Sequence, residues 1–271
     1  MREAISACVT AGNEERNIGR CLRSLTWCDE IVVVDSFSTD RTVEICRTFT
    51  PRVYQHEWLG YIGQKNLVRQ LASNPWVLIL DADEEMTPEL RDEILLALDT
   101  DGGEYVGYQF PRKVFYLGRW IGYGEWYPDI KLRLFRRDRG RAEGREPHDH
   151  VVVNGPVRTL SNHINHYTYE DIRDHLDTMN RFSGITAAEK YREGLRSHWW
   201  DFAFRPVWRF VKAFFLKRGF LDGRRGLLIA TINTFGVLVK YAKLWELEHQ
   251  RRPDAGRRDA AAGAPGPTPA P

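Results

Sequence analysis

The sequence predicts an α/β protein with a mostly parallel sheet, and three observations carry that expectation. Ile31–Val34 and Trp76–Leu80 are apolar runs without alternation, the pattern of strands buried on both faces. Each run ends at an acid, Asp35 and Asp81. Segments with helical apolar spacing separate the runs, and a β-α-β-α order implies a parallel sheet covered by helices on both faces.

The elements follow in chain order. Ala4–Val9 reads as the first strand. Asn13-Glu14-Glu15 is expected to open a helix, with Asn as N-cap and two acids at the positive end of the dipole. Ile18, Cys21, Leu22 and Leu25 continue it at helical spacing. After Ile31–Val34, Ser38-Thr39-Asp40 can cap a helix carrying Val43, Cys46 and Phe49, which gives Asp40 a capping role. Arg52–Gln55 reads as a short strand and Gly60–Ser73 as a helix. Thr87-Pro88-Glu89 starts another helix, with Thr at the N-cap and Pro in the first turn. Tyr105–Phe110, Ile130–Phe135 and Val151–Val153 read as strands, and Tyr169–Tyr191 as a helix.

Composition narrows the class. The chain has 271 residues, and 39 Lys+Arg against 37 Asp+Glu leave a net charge of +2. That balance argues against a general polyanion binder, so no nucleic-acid partner is expected. The four cysteines, Cys8, Cys21, Cys28 and Cys46, show no paired spacing, which suits a reducing compartment. Met1–Ser6 lacks the apolar stretch of a signal peptide. The longest weakly polar run, Gly226–Val239, has 14 residues. A spanning helix needs about 20, so no simple transmembrane span is expected. Composition divides the chain at residues 1–198, 199–252 and 253–271. In the last, 14 of 19 residues are Ala, Pro or Gly, and disorder is expected. Arg205–Arg225 carries seven cations against Asp222 alone. Its Val207, Trp208, Phe210, Val211, Phe214 and Phe215 fall on one helical arc, which suits an anionic membrane surface; a helical hairpin packing on the main domain is the alternative, and the two can coexist.

In parallel sheets the ligand binds beyond the carboxyl ends of the strands, where Asp35, Asp81 and Asp83 fall. Asp81-Ala82-Asp83 puts two carboxylates one residue apart at a strand end, a spacing that can share Mg²⁺ or Mn²⁺ with substrate phosphates, or merely cap the next turn. Asp35 can accept from a nucleobase or ribose, or close its strand as an Asx turn. Lys65 can reach a phosphate or sit solvated on its helix. Arg133, between Leu132 and Leu134, can grip an anionic acceptor or blunt an exposed edge. Trp126 and Tyr127 can stack on sugar rings or pack the loop. His163 and His166 lack further ligands at defined spacing and read as structural.

The motifs Ser6–Glu15, Ile31–Thr42 and Trp76–Glu85 together resemble family 2 glycosyltransferases, with a looser likeness through Trp126–Asp129, Leu132–Arg137 and Gly219–Gly223. Within that family the pattern is similar to the lipopolysaccharide-core β-1,4-glucosyltransferase subgroup. The resemblance implies a GT-A fold, with residues 1–100 holding the nucleotide sugar and 101–198 facing the acceptor. It implies a metal-dependent, inverting transfer of a hexose from a nucleotide sugar, taken as a UDP-hexose, to a lipopolysaccharide-core or other lipid-linked glycan. Thr10, Asn13, Glu14 and Asp35 would hold the nucleotide, and Asp81 and Asp83 the Mg²⁺ or Mn²⁺. Phe37 stands where the family usually has Gly. Inversion needs a general base. The subgroup has a His-acid pair at His148-Asp149, so Asp149 is the expected base, with Asp129 as rival and Glu146 third; His148 would orient the acid or ligate the metal. The site implied is peripheral, on the cytoplasmic face of the cell membrane. Transfer to a polyprenyl phosphate, or a non-enzymatic membrane-binding module, are the alternatives.

Overall fold

The computed structural model describes residues 3–250; the tail expected to be disordered lies outside them. The first half alternates as expected: β1 (Ile5–Ala11), α1 (Ile18–Ser24), β2 (Glu30–Asp35), α2 (Thr42–Arg47), β3 (Val53–Gln55), α3 (Gly60–Leu71), β4 (Trp76–Asp81), β5 (Glu84–Met86) and α4 (Pro88–Thr100). β1 pairs in parallel with β2 on one side and β4 on the other, and β2 pairs in parallel with β3.

Alternation along β1 shows why the strands are apolar throughout. Ile5, Ala7 and Val9 enter a core with α1 and α4, where Leu22, Leu90 and Ile94 are fully buried. Cys8 faces the other way, into a core with Val32, Val34, Ile79 and Val68 of α3. Burial in that apolar core pushes the Cys8 thiol up to about 12. At the start of α4 the Thr87 hydroxyl accepts from the Leu90 N–H at 3.3 Å, and Pro88 follows directly, as its sequence predicts.

The second half closes the sheet. β6 (Gly107–Tyr116), β7 (Arg119–Trp120), β8 (Asp129–Arg136), β9 (Gly140–Arg145), β10 (His148–Val153), β11 (Val157–Thr159) and β12 (Ile164–His166) follow. β8 inserts antiparallel between β4 and β6, giving the order β3-β2-β1-β4-β8-β6-β12-β5. β9 and β10 form a separate antiparallel hairpin against α3. The result is a mixed, mostly parallel sheet of the kind the sequence predicts.

The helical end comprises α5 (Ile172–Arg192), α6 (Trp199–Phe210) and α7 (Gly223–Gln250), with a π-helical turn at Val211–Leu216 and a 3₁₀ turn at Gly219–Asp222. α7 packs on both α5 and α6. The expectation of no helix long enough to span needs correction. Gly219–His249 is long and apolar enough by length and composition, with mean hydropathy 1.4 in its most apolar window and 28% of that window buried. Counting uninterrupted apolar residues stopped at Thr231, Asn233 and Thr234, whereas one continuous helix runs through them.

Candidate active site

A cleft of about 1470 Å³ opens at the carboxyl ends of β1 and β4. The first half contributes Thr10, Asn13, Glu14, Lys65, Asp81 and Asp83 to its walls, and the second half Trp126, Asp129, Arg133, His148 and Asp149. Residues separated by the length of the domain therefore share one surface, because β8 lies beside β4 and the β9–β10 hairpin folds over α3.

A chain of alternating charges crosses the floor. Asp149 Oδ2 lies 2.8 Å from Lys65 Nζ, which also reaches Asp81 Oδ1 at 2.9 Å. Asp81 Oδ2 accepts from Arg133 at 2.7 Å, and the same guanidinium donates to Glu84 Oε1 at 2.7 Å. Glu84 pairs with Arg112 at 3.2 Å, Arg112 with Asp129 at 2.6 Å, and Asp129 with Lys131 at 3.1 Å. Lys65 is 4% exposed and Glu84 not at all, so these pairs are shielded from water. Burial alone would raise the Asp81 carboxyl, but Arg133 and Lys65 outweigh it and hold the group well below the usual carboxylate range. Burial also opposes ionisation of Asp129, and Arg112 with Lys131 overcomes it, leaving that carboxyl lowered.

Asp83 has a different partner. Its Oδ2 lies 3.0 Å from His166 Nε2, and the pairing lowers its carboxyl against the opposing effect of burial. His166 belongs to β12, whose register places it opposite Glu84 of β5. A divalent cation fits this donor set: one carboxylate and one imidazole are competent ligands, and Mg²⁺ or Mn²⁺ ordinarily completes its shell with phosphate oxygens and water. Among the described residues no group of three or more His, Cys, Asp or Glu forms an all-protein cage. The two aspartates do not present equal faces to an ion, since both Asp81 oxygens already carry a cation. His148 lines the cleft but His166, read from the sequence as structural, is the imidazole that meets Asp83.

Other expected residues take more specific places. Asn13 does not cap α1: it lies at φ 57°, its side chain accepts from the Thr39 N–H at 2.8 Å, and the helix starts at Ile18 after Asn17. Asp35 is fully buried; its carboxylate accepts from the Ser38 N–H at 2.9 Å and from Gln55 at 3.2 Å, closing the turn whose Ser36 lines the cleft. Within that turn Phe37 sits at φ 55°, a conformation glycine takes without strain. Asp40 accepts from the Thr42 N–H at 3.0 Å, the local role expected of it. Glu146 is a helix cap and not a free base, accepting from the Tyr61 and Ile62 N–H groups at the start of α3 at 3.1 and 3.2 Å. Arg133 is neither an exposed edge charge nor turned to an acceptor, but buried against Asp81 and Glu84. Trp126 lines the cleft within an aromatic cluster with Tyr116, Tyr169 and His175, whereas Tyr127 is half-buried and off the lining. Inside that cluster burial takes the His175 imidazole down to about 4.

Sequence reasoning missed Glu84, Arg112 and His166. Glu84 directly follows the aspartate pair and was within reach of a local reading. Arg112 and His166 arrive from strands 28 and 83 residues away from their partners, so only the sheet order brings them in.

Comparison with known proteins agrees with this architecture. The profile described as Glycosyl transferase family 2 matches residues 6–166. An uncharacterised glycosyltransferase of Rickettsia typhi is 32% identical over 92% of this chain and 89% of its own length. The lipopolysaccharide core biosynthesis glycosyltransferase LpsC of Rhizobium meliloti is 29% identical over 89% of this chain and 92% of its own. Among solved structures, glucosyl-3-phosphoglycerate synthase of Mycobacterium tuberculosis overlays 72% of this chain and 81% of its own at 16% identity, with a TM-score of 0.49, a likeness too slight to add to the sheet order.

Proposed function

The chain belongs to glycosyl transferase family 2 and is a glycosyltransferase, and from that premise we propose that it moves a hexose, with inversion, from a UDP-hexose to a lipid-linked glycan of the lipopolysaccharide-core type. Membership of the family removes the non-enzymatic alternative. The observation that carries the donor side is the Asp83–His166 pair facing the cleft beside an Asp81 already neutralised by Lys65 and Arg133. Asp83 and His166 would hold a divalent cation, which when bound neutralises charge on the leaving diphosphate. Thr10, Asn13, Glu14 and Lys65 line the cleft and would hold the nucleotide and its phosphates.

The acceptor hydroxyl must lose its proton as it attacks the anomeric carbon while the bond to the diphosphate oxygen breaks. Asp149 is the better base of the two candidates that remain. It has one ion-pair partner, Lys65, whereas Asp129 is paired with both Arg112 and Lys131, which lower its carboxyl and weaken it as a base. His148 and Asp149, successive residues of β10, both line the cleft, and His148 would orient the acceptor. Similarity to LpsC supports an acceptor of the lipopolysaccharide class. Free thiols at Cys8, Cys21 and Cys46 suit a reducing compartment, which the cytoplasmic membrane face would provide.

Thermal shift with UDP, with and without Mn²⁺, tests this reading. UDP should stabilise the wild type by mass action, more so with Mn²⁺. Asp83→Asn should melt close to the wild type without ligand, lose the Mn²⁺-dependent part of the UDP shift, and lose transfer by about a hundredfold or more. An undiminished Mn²⁺-dependent shift in Asp83→Asn would remove the proposed metal role.

A further inference from the structure

Four cationic or titratable side chains from separate elements gather in the cleft. Lys131 of β8, His148 of β10, Arg209 of α6 and Lys240 of α7 all line it. On α7, Asn233, Gly236, Val237 and Lys240 line it together, at the three- and four-residue spacing of one helix face. Some of these charges have partners: Lys131 lies 3.1 Å from Asp129, and Arg209 Nε lies 2.6 Å from Glu125. Lys240 has no ion pair among the described residues. Its nearest ring contact is Tyr241, with the ammonium 5.0 Å from the ring centre.

The cost of this arrangement shows in both titratable members. Burial first, then Lys190, Arg209 and Arg205, bring the Lys240 ammonium down to about 8, with Asp201 only partly opposing them. Burial lowers the His148 imidazole too, and Lys240, Lys131 and Arg209 add to the effect against Asp149. Like charges drawn from separate elements onto one half-buried wall repel, and an anion seated among them would relieve the repulsion.

We propose that Lys240, together with Arg209, Lys131 and His148, forms a binding site for an anionic group, phosphate or carboxylate, carried on the acceptor glycan. The proposal rests on the glycosyltransferase reading above and adds the acceptor's charge and the residues that recognise it. His148 links this site to the reacting centre, because both it and Asp149 line the one cleft. An acceptor held by its anion at Lys240 would thus be positioned along the wall that carries the base. The role falls to a different set of residues from the Arg133 strand face that the sequence suggested, since Arg133 is buried.

The test uses the full chain with UDP and Mn²⁺ at saturation, so that the donor site is closed to phosphate. Glucosamine 6-phosphate is titrated calorimetrically, with glucosamine and inorganic phosphate as controls. The wild type should bind the sugar phosphate saturably and the neutral sugar far more weakly. Lys240→Met should weaken sugar-phosphate binding about tenfold or more, the worth of one charge-assisted hydrogen bond, while Lys240→Arg retains it. Lys131→Met should weaken it in the same direction. UDP affinity should be unchanged in each variant, and Lys240→Met should melt higher than the wild type because repulsion is relieved. Equal sugar-phosphate binding by wild type, Lys240→Met and Lys131→Met overturns the proposal. So does a wild type that binds UDP yet shows no saturable binding at millimolar sugar phosphate. Sedimentation with phosphatidylglycerol vesicles separates the other source of phosphate: if Lys240→Met loses vesicle binding while keeping sugar-phosphate binding, the lysine serves the bilayer and the acceptor site is refuted. A wild type that fails to bind UDP at all counts instead against the donor reading.

Discussion

Glu14 lines the cleft just beyond β1, and burial, ahead of the charges on Asp83, Asp40 and Asp81, lifts its carboxyl to about 7 against a hydrogen bond from Asn17. Between the unfolded value, about 4.3, and the folded one, the native state binds more protons, so stability falls as pH rises through that window. Glu14→Gln in the metal-free protein should therefore raise the melting temperature at pH 8, by the equivalent of up to about 3 kcal/mol. The gain should vanish near pH 3, where the wild-type carboxyl is neutral in both states. An equal gain at both pH values would show that packing, and not ionisation, is responsible. Lys65 presents the opposite case. It is 4% exposed and holds Asp81 and Asp149 together. Lys65→Met would leave two carboxylates short of a cation and should cost about 3–5 kcal/mol in urea unfolding; a loss below 1 kcal/mol would mean that Arg133 alone compensates Asp81. The aspartate pair was legible in the sequence because strand, acid and spacing are local. The commitment of Asp81 to Lys65 and Arg133 was not, since those partners come from α3 and β8.

Elements carry the next level of control, and the clearest joint ties the helical end to the sheet. Asp222, at the end of the 3₁₀ turn, accepts from the N–H groups of Gly122 and Tyr123 at 3.1 and 2.9 Å. One turn further, the Arg225 guanidinium donates to the Leu117 carbonyl at 2.9 and 2.6 Å. These bonds fix the loop between β6 and β8 that leads to Trp126. Asp222→Ala should cost about 2 kcal/mol, as expected for losing hydrogen bonds to a charged acceptor, and should speed amide exchange at Gly122 and Tyr123. Unchanged exchange at those two amides would show that the loop is held without Asp222. At this scale the first hundred residues read well, because the buried strands and helices announce themselves by period, and α4 by its Thr-Pro start as well. The β9–β10 hairpin did not, since Gly140–Arg145 is charged and lacks alternation. The start of α1 was misread because Asn13 uses its side chain across to Thr39 instead of along its own helix.

Over the whole molecule, the aromatic and basic segment after residue 198 serves two sides at once. Ile229, Ile232, Tyr241 and Leu244 are buried against the fold, so removing α7 would expose core. Membrane attachment is therefore to be tested by surface substitution and not by truncation. α6 presents Trp199, Phe204, Val207 and Trp208 to solvent at 60–69% exposure, and Phe215 and Leu216 extend the band into the π-helical turn. Arg205 is tied to Asp201, Arg209 to Glu125 and Arg225 to the Leu117 carbonyl, which leaves Lys212, Lys217, Arg218 and Arg224 without ion pairs among the described residues. Each such cation near an anionic surface is worth about 1 kcal/mol, and each buried aromatic adds about 1.5–3 kcal/mol. Joint replacement of Trp199, Phe204 and Trp208 by Glu should therefore abolish sedimentation with phosphatidylglycerol vesicles. The melting temperature should be little changed, because none of the three supports the core. Wild-type binding should weaken in phosphatidylcholine and at high salt, where the cations contribute least. If the triple variant still sediments with anionic vesicles as the wild type does, this band is not the attachment face. If wild-type binding ignores both lipid charge and salt, the basic residues have no part in it.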